Sequence, residues 1–206
     1  MPKFSFDPIR HIYTVDDREL VSVTQCLPKS EFMSMDDDGP RVKGNYVHEV
    51  VRLYLLNDLN EDTLDGALIP YLDALKKFLS DSKGMQIQGV IDIKSGAKTP
   101  TVELQIAAYI ELVNNGKSLS GFFDYAELKN NLILEQPFFH PLYNYCGTPD
   151  IVIGDYPVKE GHALYLKNNG KYKLETIPNV RRNLEMFLQF LNTEKWCREH
   201  NLKGKD

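Results

Sequence analysis

Apolar and polar residues alternate at the start of the chain. Phe4-Ser5-Phe6-Asp7 and His11-Ile12-Tyr13-Thr14-Val15 keep the two-residue period of a strand with one covered face, and Asp16-Asp17 turns the chain into residues 19–23. The pattern predicts a small hairpin that decorates the N-terminus (residues 1–30) of a single domain whose core is residues 31–206. Ser22 or Thr24 stands where a helix cap belongs, ahead of Cys26 and Leu27. Residues 34–40, with Asp36-Asp37-Asp38, read as a solvated loop.

The period then lengthens. Apolar residues at 47, 50, 51, 54 and 55 make residues 44–56 a half-buried helix, and 68, 69, 72, 75, 78 and 79 do the same for 68–79. Residues 85–93 read as a strand and 95–98 as a turn. Residues 102–114 read as a helix that Asn115-Gly116 ends. Patterning fades over 117–131, where Gly121-Phe122-Phe123 fits a short strand or a helical turn. Residues 132–139 read as a strand in which Pro137 marks an edge or a bulge, and 145–154 as another. Asn168-Asn169-Gly170 joins residues 163–166 to 172–177 as a hairpin, and 180–199 forms a last helix. The expected class is α/β, a central mixed sheet flanked by helices.

One strand breaks the apolar pattern. Val90-Ile91-Asp92-Ile93-Lys94 places an acid and a base two residues apart, hence on one face. Charges on a buried strand are costly unless something uses them. Bulk composition neither demands nor forbids a use. The chain is 206 residues, 26% charged, with net charge −5 and mean hydropathy −0.36. The charge is uneven: residues 156–206 hold 10 basic against 6 acidic side chains. A nucleic-acid partner needs a local basic surface, not a basic average. No run of about 20 apolar residues is present to cross a membrane. The N-terminus lacks a signal-peptide core, so a cytoplasmic location is expected. Cys26, Cys146 and Cys197 are too few and too scattered for a disulfide framework or an iron–sulfur cluster.

Phosphodiester hydrolysis needs hard oxygen ligands around Mg²⁺ or Mn²⁺ and a cation to position water or neutralise developing charge. Asp92 and Lys94 supply one carboxylate and the cation, and the carbonyl of Ile93 between them is a further candidate ligand. Asp150, after Gly147-Thr148-Pro149, is the second carboxylate, and Glu135 a third. His48 lies beside the apolar stripe of its helix, and Gln105 and Tyr109 share a helix face four residues apart.

These pieces resemble the PD-(D/E)XK nuclease superfamily, in its RecB-like branch of phage and CRISPR-associated exonucleases. The matching motifs are Gly44-x-x-x-His48, Gly147-Thr148-Pro149-Asp150, Ile91-Asp92-Ile93-Lys94-Ser95-Gly96 and Gln105-Ile106-Ala107-Ala108-Tyr109. Phe6-Asp7-Pro8 to His11-x-Tyr13 and Val21-Ser22-Val23-Thr24 also look like phage members. The resemblance implies a restriction-endonuclease-like core and divalent-metal-dependent cleavage of DNA in recombination, replication or repair, with a recombination protein as a possible partner. It implies that Asp92 and Asp150 bind the metal and that Lys94 is the catalytic lysine. It makes His48 a further ligand or a phosphate contact, and Gln105 and Tyr109 residues that position DNA. Glu135 stands where relatives often carry an acid. No iron–sulfur cluster is implied.

The order of motifs departs from the family. There the Asp-x-Lys strand and the Gln-x-x-x-Tyr helix follow the Gly-x-x-Asp strand; here they precede it. Moving residues 85–116 between Asp155 and Tyr156 restores the usual order, so the motif order is circularly permuted relative to the family. Two other functions fit the same motifs: a structure-selective endonuclease, and an inactive nucleic-acid-binding or assembly protein on a nuclease-like scaffold.

Overall fold

The computed structural model describes residues 3–28, 39–85, 87–119 and 132–202. The aspartate run at 36–38 and Gly121-Phe122-Phe123 lie outside the described residues. Strands β1 (Phe4–Asp7), β2 (Ile12–Val15) and β3 (Arg18–Glu19) form an antiparallel sheet in that order. Strand β4 (Val21–Ser22) then leaves it, and helix α1 (Val23–Cys26) follows at once. Ser22 is its N-cap, and the Ser22 N–H donates back to Gln25 Oε1 at 2.9 Å.

Helix α2 (Gly39–Leu55) starts five residues before the periodicity at 44 predicts, because its first turn has no apolar stripe to announce it. Helix α3 (Ile69–Asp81) opens with a proline in its first turn, where the missing N–H costs nothing. Strand β5 is Gly89–Lys94, shorter than the expected 85–93 at its start and longer at its end. Helix α4 (Thr101–Asn115) and strand β6 (Lys117–Ser118) follow.

Two expected strands are each divided. Residues 132–139 become β7 (Leu132–Leu134) and β8 (Phe138–His140). Residues 145–154 become β9 (Tyr145–Gly147) and β10 (Ile151–Ile153). The breaks fall opposite one another, at Glu135-Gln136-Pro137 and Thr148-Pro149-Asp150. Glu135 takes a left-handed φ of 43° there, and Pro137 cannot donate to a ladder. The chain ends with β11 (Gly161–Leu166), β12 (Tyr172–Thr176) and helix α5 (Val180–Glu199).

The breaks send one long hairpin into two sheets. Strands β7 and β10 join the central five-stranded sheet, order β12-β11-β5-β10-β7, while β8 and β9 join a four-stranded sheet, order β4-β9-β8-β6. In the central sheet only β5 and β11 run parallel; the other pairs are antiparallel. The fold is thus mixed α/β, with α4 and α5 on one face of the central sheet and α2 and α3 on the other. The N-terminal hairpin packs on the smaller sheet through Phe4, Phe6 and Tyr13 against Phe139 and Cys146.

Close packing around the motifs depends on two glycines. A Cβ on Gly161 would stand 2.2 Å from Ile106 Cγ2, so α4 lies flat on β11 only because that side chain is absent. A Cβ on Gly147 would meet Tyr109 Cε1 at 2.8 Å and Val23 Cγ2 at 3.0 Å. Gly44 is different: a Cβ there would make an ordinary 3.6 Å contact with Ser95 Oγ.

Candidate active site

Strand register assembles the site. On β10, Ile151 pairs with Ile91 of β5 on one side and Leu134 of β7 on the other. The Glu135 N–H donates to the Asp150 carbonyl at 2.9 Å, so the next rung carries Asp92, Asp150 and Glu135 side by side. Directly opposed residues of antiparallel strands have Cα atoms about 5 Å apart. Three acids therefore occupy neighbouring strands at the level where the long hairpin forks.

Strand β10 begins only at Ile151, which leaves the Ile93 N–H beyond the ladder, and the Asp150 side chain takes the partner's place. The Ile93 N–H donates to Asp150 Oδ2 at 2.6 Å, while Asp150 Oδ1 lies 3.3 Å from His48 Nδ1. The described contact of Ile93 with the site is thus its N–H, where the sequence pointed to its carbonyl. Burial alone would lower His48, but the Asp150 carboxylate outweighs it and lifts the imidazole to about 9. Burial also works against the Asp150 charge; His48, Lys94 and the Ile93 N–H overcome it and hold the carboxyl below its ordinary value.

Asp92 is held differently. It is 1% exposed, and Lys94 Nζ lies 2.7 Å from its Oδ2. Gln105 on α4 ties the pair together: its amide accepts from Lys94 Nζ at 3.1 Å and donates to Asp92 Oδ1 and to Tyr109 Oη, both at 3.2 Å. Burial is the main force that pushes Asp92 up, to about 6; Lys94 opposes it and Asp150 adds to it. For Lys94 burial pulls downward, yet the two aspartates leave the ammonium above its usual value. Tyr109 is driven well above its ordinary range by burial first and then by the aspartates, so its hydroxyl is a neutral partner for Gln105.

Glu135 faces the opposite side of the fork. Its carboxylate lies 3.6 Å from Arg52 Nε, one helical turn after His48 on α2, and Arg52 also pairs with Glu49. Burial and then Asp150 push Glu135 up to about 7 despite His48 and Arg52. His48, Asp150, Glu135 and Arg52 open onto a cleft of about 450 Å³. Phe6, Pro8 and His11 wall it from the N-terminal hairpin, and Tyr13 fastens that hairpin to the fork by a 2.8 Å hydroxyl contact with Thr148. The segment expected as a decoration is therefore part of the site's wall.

All eight sequence candidates converge on this fork. Asp92, Lys94, Gln105 and Tyr109 form one connected group, and His48, Asp150 and the Ile93 N–H another. Arg52 was missed, although its spacing from His48 places it on the same helix face. The hairpin residues of the wall belong to the Phe6-Asp7-Pro8 to His11-x-Tyr13 motif, whose resemblance gave them no role in the site.

The donor set consists of carboxylate oxygens, which suit Mg²⁺ or Mn²⁺. Among the described residues no three His, Cys, Asp or Glu side chains are gathered as a ready metal cage. Asp92 Oδ2 is buried without an aligned hydrogen bond, and the Lys94 ammonium 2.7 Å away is the charge that offsets it. No protein-family model, curated protein or solved structure matches the chain.

Proposed function

We propose that this chain is a divalent-metal-dependent DNA nuclease, an exonuclease of the phage type, on a restriction-endonuclease-like core with permuted motif order. The observation that carries the reading is the rung Asp92–Asp150–Glu135, with Lys94 on the face of Asp92 and Gln105 bracing both. Buried acids side by side raise the energy of the fold, and a phosphodiesterase centre is a use that repays them.

Asp92 and Asp150 would hold the ion, with Glu135 as a third oxygen acting through water. A bound Mg²⁺ or Mn²⁺ supplies Lewis acidity at the scissile phosphate and an acidified water. Lys94 brings an ammonium next to Asp92, where it orients the attacking water and neutralises charge on the phosphoryl oxygens. Gln105 fixes the Lys94 ammonium against Asp92, and Tyr109 fixes Gln105. His48, when protonated, has no lone pair for a metal; it holds Asp150 in place through Nδ1 and faces the cleft as a phosphate contact. Arg52 is the other cation on that wall.

The permuted order has physical support as well. Strand β5 lies between β10 and β11, the place that residues 85–116 would take if inserted after Asp155. At one junction, Gln88 Cγ is 3.0 Å from where a Cβ of Gly154 would be. At the other, Asn114 donates to the Val158 carbonyl and accepts from the Val158 N–H, both at 2.7 Å. Chain ends that the usual order would join are already neighbours.

The test is incubation of the full chain with linear and with closed circular DNA, with Mn²⁺, with Mg²⁺ and with a chelator. Metal-dependent loss of the linear form alone is expected. Cutting of the circle would make it an endonuclease, and stable linear DNA under every metal would reject the nuclease reading.

A further inference from the structure

A second groove adjoins the site on the other side of Lys94. Strand register puts Lys94, Tyr165 and Lys173 on one rung across β5, β11 and β12, two residues beyond the rung of Asp92 on the same face. This groove, about 490 Å³, is lined by Tyr165 and Lys173 and by Lys98, Lys167 and the Ser95-Gly96 turn that follows Lys94. Lys43 of α2 reaches its edge, 4.9 Å above the ring of Tyr71. The first cleft mixes three acids, Glu49, Glu135 and Asp150, with His48 and Arg52, whereas this one carries three lysines around a single acid, Glu175.

Two details point to an anion. The Tyr165 side chain is only 6% exposed, and its hydroxyl is buried without a hydrogen-bond partner between Lys94 and Lys173 on the rung. Glu175, in turn, bridges both exposed lysines: Lys98 Nζ lies 2.6 Å from Oε2, and Lys173 pairs with Oε1. A carboxylate gripped by two ammonium groups occupies the position that a phosphate oxygen pair would take.

We propose that this groove is a phosphate-binding subsite for the DNA strand, in which Lys98, Lys173 and Tyr165 hold phosphates flanking the scissile bond and Glu175 fills their place when DNA is absent. The inference rests on the nuclease reading for the identity of the strand. One strand would run from the lysine rung across Lys94 to the carboxylate rung. From β12 to β10 that is three strand spacings, about 14 Å, so the phosphates held here belong to nucleotides next to the one cleaved.

The test is binding of a labelled single-stranded oligonucleotide to the full chain without divalent metal, over a range of salt. Lys98 and Lys173 are 57% and 61% exposed, so the double variant Lys98→Gln/Lys173→Gln is expected to keep its melting temperature. It should bind about 10-fold more weakly, with the slope of log K against log salt reduced by about 1. Glu175→Gln should bind a few-fold more tightly, because it releases the lysines. Unchanged affinity and slope in the lysine variant, or weaker binding by Glu175→Gln, overturns the subsite. Oligonucleotides with and without a 5′-phosphate separate a terminal phosphate, whose removal would erase the lysine effect, from internal phosphodiesters, for which the effect persists. If wild-type protein cleaves no DNA yet the lysine variant loses affinity, the nuclease reading fails and the subsite stands. If it cleaves and the variant binds normally, the reverse holds.

Discussion

The two faces of β5 meet different demands. Ile91 and Ile93, 0% and 2% exposed, face α2 and α3 in an apolar cluster with Val47, Val51, Leu75 and Leu164. Asp92 and Lys94, the residues next to them in sequence, face α4 and carry an ion pair braced by Gln105. One face is worth about 1.5–3 kcal/mol per isoleucine buried; the other spends stability to hold charge. Val90 shares the polar face and packs on α4, but beyond it the pleat of this six-residue strand separates the two isoleucines from the charged pair.

That separation can be broken from either side. The largest effect expected is on the polar face. Asp92→Asn or Lys94→Ala should lower Mn²⁺-dependent cleavage by about 10³-fold or more, with the circular dichroism spectrum retained. Cleavage at the wild-type rate in a folded Lys94→Ala protein would remove Lys94 from the chemistry. On the apolar face, Ile91→Ala should destabilise by about 2–5 kcal/mol through cavity formation, read by chemical denaturation. At temperatures where the variant is folded, its cleavage rate should stay within a few-fold of wild type. A large loss of rate without loss of stability would show that the faces are coupled.

The smallest effect sharpens the comparison at the rim of the same rung. Glu135 is raised to about 7 by burial and by Asp150, so its charged form is disfavoured in the folded protein. The folded state then binds a proton more readily than the unfolded state. Metal-free protein should gain stability as pH falls from about 7 towards the ordinary glutamate value, and lose it as pH rises back through 7. Glu135→Gln should flatten that dependence and stabilise the protein by about 1–2 kcal/mol at pH 8. Denaturation midpoints at pH 5 and pH 8 measure it, and a variant less stable than wild type at pH 8 contradicts the assignment. His48 runs in the same direction for a different reason. Lifted to about 9, it contributes fully below its unfolded value and is lost as pH climbs through 9.

Helices α3, α4 and α5 follow from their apolar periodicity, and the polar face of β5 from two charges inside an apolar run. Such signals are local, because neighbours within one turn or one pleat decide them. The fork at Glu135 and Asp150 is only half legible: Pro137 marks an edge or a bulge in one segment, while 145–154 reads as one continuous strand. Only the coincidence of two breaks, 15 residues apart in the chain and opposite each other in space, divides the hairpin between two sheets. Long-range partnerships were hidden for the same reason. Glu175 meets Lys98 across 77 residues, and Tyr13 meets Thr148 across 135. No window of sequence contains both members of either pair.

The place of β5 in the chain has a consequence during synthesis. Its neighbours in the sheet, β10 and β11, begin only at Ile151 and Gly161. The strand destined for the middle of the sheet therefore waits with both edges open while more than fifty residues are added. An uninterrupted apolar strand in that condition is a template for pairing with another chain. Asp92 and Lys94 interrupt it at alternate positions, as gatekeeping charges do in aggregation-prone segments. The charges proposed to serve DNA cleavage in the finished protein would thereby guard the unfinished one.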